Sequence, residues 1–180
     1  YISPLLSKNQ SVTLDLNGFD IEVEAQDGVA IYVIDGNLNI IGDGTVSNTG
    51  KSGYVVWAKG QSTVNVMGGD FFAGGNDTTL FYASGTVAYD PNSPWATINI
   101  YGGTFIDGTA SAGNGIYVVA GAKVTLDGKA SIESIYLSGA SLIIKEMDTA
   151  KTVNLESSKT GVFAENVLAD YSGCFKVSGK

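Results

Sequence analysis

The chain has 180 residues, 44% of them apolar, with 24 glycines, 3 prolines and a formal net charge of −8 from 18 acidic and 10 basic side chains. Every basic residue is lysine, and neither arginine nor histidine occurs. That balance excludes a basic nucleic-acid-binding face, a polybasic membrane anchor and Ser-His-Asp chemistry, and it removes the commonest zinc ligand.

The apolar content and length are those of one folded domain, and no apolar run reaches the 18 residues that a bilayer-crossing helix needs. The lone Cys174 has neither a disulfide partner nor a histidine to activate it and is expected to be a packed, inert thiol. The sequence opens on Tyr1 without an initiator Met or a signal-like region, as a fragment or a processed product would.

Taken in order, residues 1–10 hold Pro4 ahead of Leu5 and Leu6 and are expected to lie over the open end of the fold, where a bare strand edge would otherwise pair with another chain. From residue 11 to 144 two kinds of short segment recur. The first comprises Thr13-Leu14-Asp15, Asn39-Ile40-Ile41, Asn65-Val66-Met67, Asn99-Ile100-Tyr101 and Thr125-Leu126-Asp127, each followed closely by glycine. Its leading residues Val12, Leu38, Val64, Ile98 and Val124 are 26, 26, 34 and 26 positions apart. The second comprises Ile31-Tyr32, Val55-Val56, Leu80-Phe81, Ile116-Tyr117 and Ile135-Tyr136. Period-two alternation without a helical period, repeated at a fixed interval, predicts a solenoid of stacked β-strands.

Within each coil one column is predicted to face the core through Leu14, Ile40, Val66, Ile100, Leu126 and Ile144, with Val12, Leu38, Val64, Ile98, Val124 and Leu142 beside it. The opposite pleat carries Thr13, Asn39, Asn65, Asn99 and Thr125, which at a strand spacing of about 4.8 Å form an amide ladder. With Ile31, Val55, Leu80, Ile116 and Ile135 inward, the pleat sends Tyr32, Val56, Phe81, Tyr117 and Tyr136 outward as an apolar column. Ile41, Met67 and Tyr101 form a shorter one. Contiguous exposed apolar columns serve self-association or the stacking of sugar rings, and branched or flexible members such as Val56, Ile41 and Met67 favour a protein contact. A slip of one residue would instead turn the aromatic column into core.

The 34-residue interval contains an insertion from Thr86 to Trp95 with two prolines. Its Tyr89, Asp90 and Trp95 offer ring faces and a carboxylate to a glycan, or alternatively brace an adjacent coil. Corner loops at Ser47–Gly53, Ala73–Thr78 and Asp107–Asn114 contribute Asp77 and Asp107 as further ligand-binding candidates. The repeat fades after residue 144. Lys145 to Lys151 reads as a short helix or loop, and the remainder to residue 180 as a last partial coil and cap.

The runs Val12-Thr13-Leu14-Asp15-Leu16-Asn17-Gly18, Leu38 to Val46, Ala96 to Phe105 and Val167 to Gly173 resemble those of the right-handed parallel β-helix repeat proteins of gut-associated bacteria and their phages, and within that group the phage head-fibre proteins. The resemblance implies an all-β fold, a right-handed single-stranded parallel β-helix of about six coils with terminal caps, divided as 1–10, 11–144 and 145–180. It also implies a non-enzymatic structural and adhesive module at the virion surface, without a cofactor. Its expected partners are further copies of itself, with a trimer as the stoichiometry, a capsid or other virion protein, and surface glycans, but neither nucleic acid nor membrane. A bacterial cell-surface or extracellular adhesin is the alternative.

A β-helix polysaccharide hydrolase is the second alternative. Hydrolysis needs two carboxylates about 5–10 Å apart, and Asp77 and Asp107, on equivalent corner loops of neighbouring coils, are the weak catalytic candidates. Lyase chemistry of the pectate-lyase type relies on an arginine base that this chain lacks. The turns Asp43-Gly44 and Asp127-Gly128 are too sparse for a calcium cage, so no metal site is expected.

Overall fold

Runs in which apolar and polar residues alternate, closed by glycine or asparagine, form strands of at most eight residues, and the strands wind rather than fold back. The computed structural model describes residues 10–84, 95–108, 115–119, 121–158, 164–165 and 170–179. The chain passes through β1 (Ser11–Asp15), β2 (Ile21–Val23) and β3 (Gly28–Ile34), then β4 (Asn37–Ile41), β5 (Thr45–Asn48) and β6 (Ser52–Lys59). Three more such triplets follow: β7 (Thr63–Val66), β8 (Asp70–Ala73) and β9 (Asp77–Ser84); β10 (Thr97–Ile100), β11 (Thr104–Asp107) and β12 (Ile116–Val119); β13 (Lys123–Asp127), β14 (Ser131–Ile132) and β15 (Ser134–Ser138). The described chain ends with β16 (Ser141–Glu146), β17 (Val153–Ser157), β18 (Ala164–Glu165) and β19 (Phe175–Gly179).

Every member of a triplet belongs to a different sheet and pairs in parallel with the equivalent strand of the next triplet. The first sheet runs β1-β4-β7-β10-β13-β16-β18, the second β2-β5-β8-β11-β14, and the third β3-β6-β9-β12-β15-β17-β19. Three parallel sheets built in this cyclic order are consistent with a parallel β-solenoid, and each turn's apolar face is covered by the turns above and below it. β17 and β19 carry the third sheet beyond residue 144, and residues 147–151 form a turn rather than a helix.

In the first sheet the register runs Leu14, Ile40, Val66, Ile100, Leu126, Ile144 and Val12, Leu38, Val64, Ile98, Val124, Leu142, as the alternation predicts. These side chains are buried except in β1, at the end of the sheet, where Val12 is 38% exposed. The first corner is set by glycine. Gly69 and Gly103 have φ of 90° and 98°, and a Cβ on Gly103 would sit 2.8 Å from the Gly69 carbonyl oxygen, so successive corners stack backbone on backbone.

The third sheet departs from strict alternation. Ala30 and Ile31, Val55 and Val56, and Leu80 and Phe81 are consecutive residues that are all buried, so each strand bends there and sends two side chains inward in succession. The pairing is Ile31↔Val56↔Phe81↔Ile116↔Ile135, one position off the expected alignment in β6 and β9. Val56 and Phe81 are therefore core residues with no exposed surface, and the expectation that they face outward is corrected. Phe81 packs with Phe71 and Phe105 at centroid separations of 5.0 and 5.2 Å, and Phe71 stacks on Phe105 at 5.1 Å.

The corner joining the second sheet to the third spans Gly74 to Asn76 between β8 and β9, yet between β14 and β15 it is the single residue Glu133. That shortening fixes the surroundings of Asp107. Cys174 is buried and has no disulfide partner.

Candidate functional site

The outward column of the third sheet is Tyr32, Trp57, Tyr82, Tyr117 and Tyr136, a ladder across five turns that continues into Glu156 and Ser178. Neighbouring rings lie 4.7 Å apart for Tyr32 and Trp57, 5.8 Å for Trp57 and Tyr82, 5.5 Å for Tyr82 and Tyr117, and 4.6 Å for Tyr117 and Tyr136. Tyr54 adds a ring 5.1 Å from Trp57 and 4.9 Å from Tyr82. The Trp57 indole N–H donates to the Ser84 hydroxyl at 3.0 Å, and the Lys59 ammonium lies 5.3 Å from its ring. Enclosure by neighbouring rings raises the Tyr54 and Tyr82 hydroxyls above the ordinary phenol pKa.

This arrangement decides which surface the ladder offers. The rings pack on one another, stacked at Tyr117 and Tyr136 and tilted elsewhere along the column, so part of each face is taken up within the ladder rather than left for a sugar ring. Tyr32, Tyr117 and Tyr136 fall where the sequence predicts. Trp57, Tyr54 and Tyr82 do not, although the recurring pairs Tyr32-Val33, Trp57-Ala58, Tyr82-Ala83, Tyr117-Val118 and Tyr136-Leu137 carried the signal.

The amide ladder forms as the spacing predicts from Thr13 to Asn99, whereas Thr125, expected on the same outward pleat, is buried. Asn99 donates to the side-chain oxygen of Asn65 at 2.9 Å, Asn65 to that of Asn39 at 2.8 Å, and Asn39 to the Thr13 hydroxyl at 3.4 Å. Two residues further along the same strands, Asp15 pairs with Ile41, and the ladder continues through Met67 and Tyr101 toward Asp127. Met67 is 51% and Tyr101 40% exposed, and Ile41 is half-buried. Ile106, 39% exposed beside the half-buried Phe72 on the second sheet, is apolar surface that the sequence reading did not single out.

The two carboxylates do not form a pair. Asp107 ends β11 and stands in the column Val23, Asn48, Ala73, Asp107, while Asp77 begins β9 opposite Ser52. They occupy opposite ends of the corner rather than equivalent positions, which corrects the expected alignment. Asp77 is exposed and its backbone N–H donates to the Lys51 carbonyl at 3.1 Å. Asp107 is enclosed: the Ser134 hydroxyl donates to its Oδ2, its own N–H donates to Glu133 Oε2 at 2.8 Å, and Oδ1 is buried without a hydrogen-bond partner among the described residues. Burial pushes its pKa up to about 6, the neighbouring Glu133 charge adds to that rise, and the Ser134 hydrogen bond opposes it.

Asn48, two turns away in the same column, shows what this corner accepts. Wholly buried, it donates from Nδ2 to the Gly28 and Tyr54 carbonyls at 2.9 and 3.3 Å and accepts the Gly50 N–H at 2.9 Å. Trp95 is half-buried against the core, and a Cβ on Gly121 would lie 2.7 Å from its ring, so one face of the indole braces the turn beyond. Tyr89 and Asp90 lie outside the described residues, as do most of the insertion and residues 109–114 of the last corner loop.

No family model, curated protein or solved structure matches the chain.

Proposed function

We propose that the chain is a non-enzymatic structural and adhesive module, a right-handed parallel β-helix of about six coils with terminal caps, acting in a virion surface fibre or decoration protein that self-associates. The observation that supports this reading best is the self-sufficiency of the side-chain columns. Asparagine amides bond to one another along the axis, aromatic rings stack on one another, and Asp107 is held by its own corner. Such groups stiffen a rod, and a hydrolase would need two carboxylates turned toward a common substrate. Apolar surface remains at Met67, Tyr101 and Ile106, which fits a protein contact.

An antibody raised against the chain, applied to a source culture separated into particles, cell envelopes and medium, tests the assignment. Labelled particles support the virion reading. Labelled envelopes transfer the module to a bacterial adhesin, and release of reducing ends from a polysaccharide panel by the purified chain would replace both with a hydrolase. Glycan binding through Trp95, Asp77 and Asp107 predicts array signals that fall on Trp95→Ala.

A further inference from the structure

Five of the nine tyrosines, Tyr32, Tyr54, Tyr82, Tyr117 and Tyr136, stand with Trp57 in one unbroken run of rings, each within 5.8 Å of the next. At such contact an electron passes readily from ring to ring, so a hole made at any of them is shared along the run. Tyr117 and Tyr136 are the closest described pair and the most nearly parallel, with centroids 4.6 Å apart and planes at 14°. Both are half-buried, and their Cα positions are held opposite one another by the parallel pairing of β12 with β15.

Charge along the run is uneven. The Lys59 ammonium lies 5.3 Å from the Trp57 ring and opposes loss of an electron there, and the indole N–H rests on the neutral Ser84 hydroxyl, a poor acceptor for its proton. Enclosure makes the Tyr54 and Tyr82 hydroxyls harder to deprotonate. The residue that follows Tyr136 in the column is Glu156, whose carboxylate favours positive charge and accepts protons. Holes are thereby drawn away from Trp57 and toward the Tyr117 and Tyr136 end.

We infer that Tyr117 and Tyr136 are a modification site, at which oxidation joins the fourth and fifth turns through a dityrosine bond. The oxidant is hydrogen peroxide acting through a haem peroxidase. Each tyrosine gives up one electron and its phenolic proton, and the two phenoxyl radicals couple between ring carbons ortho to oxygen. The hydrogens on those two carbons then leave as protons while both oxygens are reprotonated, which restores the phenols. In sum two hydrogens leave the pair and one peroxide becomes two waters. Turning the rings from face contact to the edge contact of the new bond takes side-chain rotation alone, because the register already sets the two residues side by side.

Purified chain, dilute enough to disfavour contact between molecules, is treated with peroxidase and hydrogen peroxide. It is followed by dityrosine fluorescence, by denaturing gel and by mass spectrometry after cleavage at lysine, which leaves Tyr136 as the sole tyrosine of peptide 130–145. The expected product is a fluorescent monomer in which that peptide is joined to peptide 60–123 with the loss of two hydrogens, sulfoxide at the exposed Met67 being counted separately. Tyr117→Phe and Tyr136→Phe, with folding checked by circular dichroism, each remove the joined peptide, whereas Tyr101→Phe, outside the run, leaves it unchanged. The joined monomer melts several degrees above untreated chain, since the link shortens the loop that unfolding can open. Treated monomer without the joined peptide, a joined peptide that survives Tyr117→Phe, or dityrosine confined to dimers overturns the site.

Discussion

Replacing Asp107 by Asn should make the protein more stable at neutral pH. In the folded chain the carboxyl is lifted from 3.8 to about 6 by burial, so the native state holds this proton more tightly than the unfolded chain does. Below the unfolded value both states are protonated and nothing is lost. As pH rises from about 4 to about 6 the unfolded chain ionises first, stability falls, and above about 6 the full penalty remains. At about 1.4 kcal/mol per pK unit the shift corresponds to at most about 3 kcal/mol, and partial solvent access screens this to about 1 kcal/mol.

The amide keeps an oxygen for the Ser134 hydroxyl, and Asn48 occupies the same column with its amide fully bonded. Thermal melts of both proteins at half-unit steps from pH 4 to pH 8 should therefore converge near pH 4 and separate by about 2–4 °C at pH 7.5, with the variant higher. A variant less stable than wild type at pH 7.5 would refute the reasoning. It would mean that the carboxylate is held by a favourable charge interaction rather than tolerated against burial.

Phe81→Ser should remove a ring packed against both Phe71 and Phe105 and cost about 3–5 kcal/mol, seen as a large fall in melting temperature at every protein concentration rather than as dissociation. Asn65→Ala should break the amide ladder on both sides, leaving Asn39 without its donor and Asn99 without its acceptor, at about 1–2 kcal/mol in chemical denaturation. Gly103→Ala combines a φ of 98° with a Cβ at 2.8 Å from a carbonyl oxygen, and hydrogen exchange should show faster opening of β10 and β11 than in wild type.

The first sheet was legible because Val12-Thr13-Leu14 and its repeats alternate without interruption, so burial fixes their register and the amide ladder follows from it. The third sheet was only half legible. Val55-Val56 and Leu80-Phe81 are interior pairs at a bend, and strict alternation sends one member of each to the wrong side. Aligning on the aromatic followed by Val, Ala or Leu would have brought Trp57 and Tyr82 into the column. The enclosure of Asp107 was not legible from its own neighbourhood, since it depends on a corner a turn later shrinking to Glu133 and delivering Ser134 to its carboxyl. The exposure of Met67 and Tyr101 follows from the same alternation, which turns them to the pleat opposite the buried Val66 and Ile100.

The aromatic column gives way to Glu156 and then Ser178 once the chain leaves β15, the asparagine series has already passed to Thr125 and Ile143, and the phenylalanine stack stops at Phe105. Among the described residues no aromatic or amide ladder crosses the seams between the last turns, which are held by backbone pairing, aliphatic contacts, the Lys145–Asp127 ion pair and the packing of Tyr171 and Phe175. Pulled along the axis, the stacked turns would part at those seams first, while the laddered turns stayed wound.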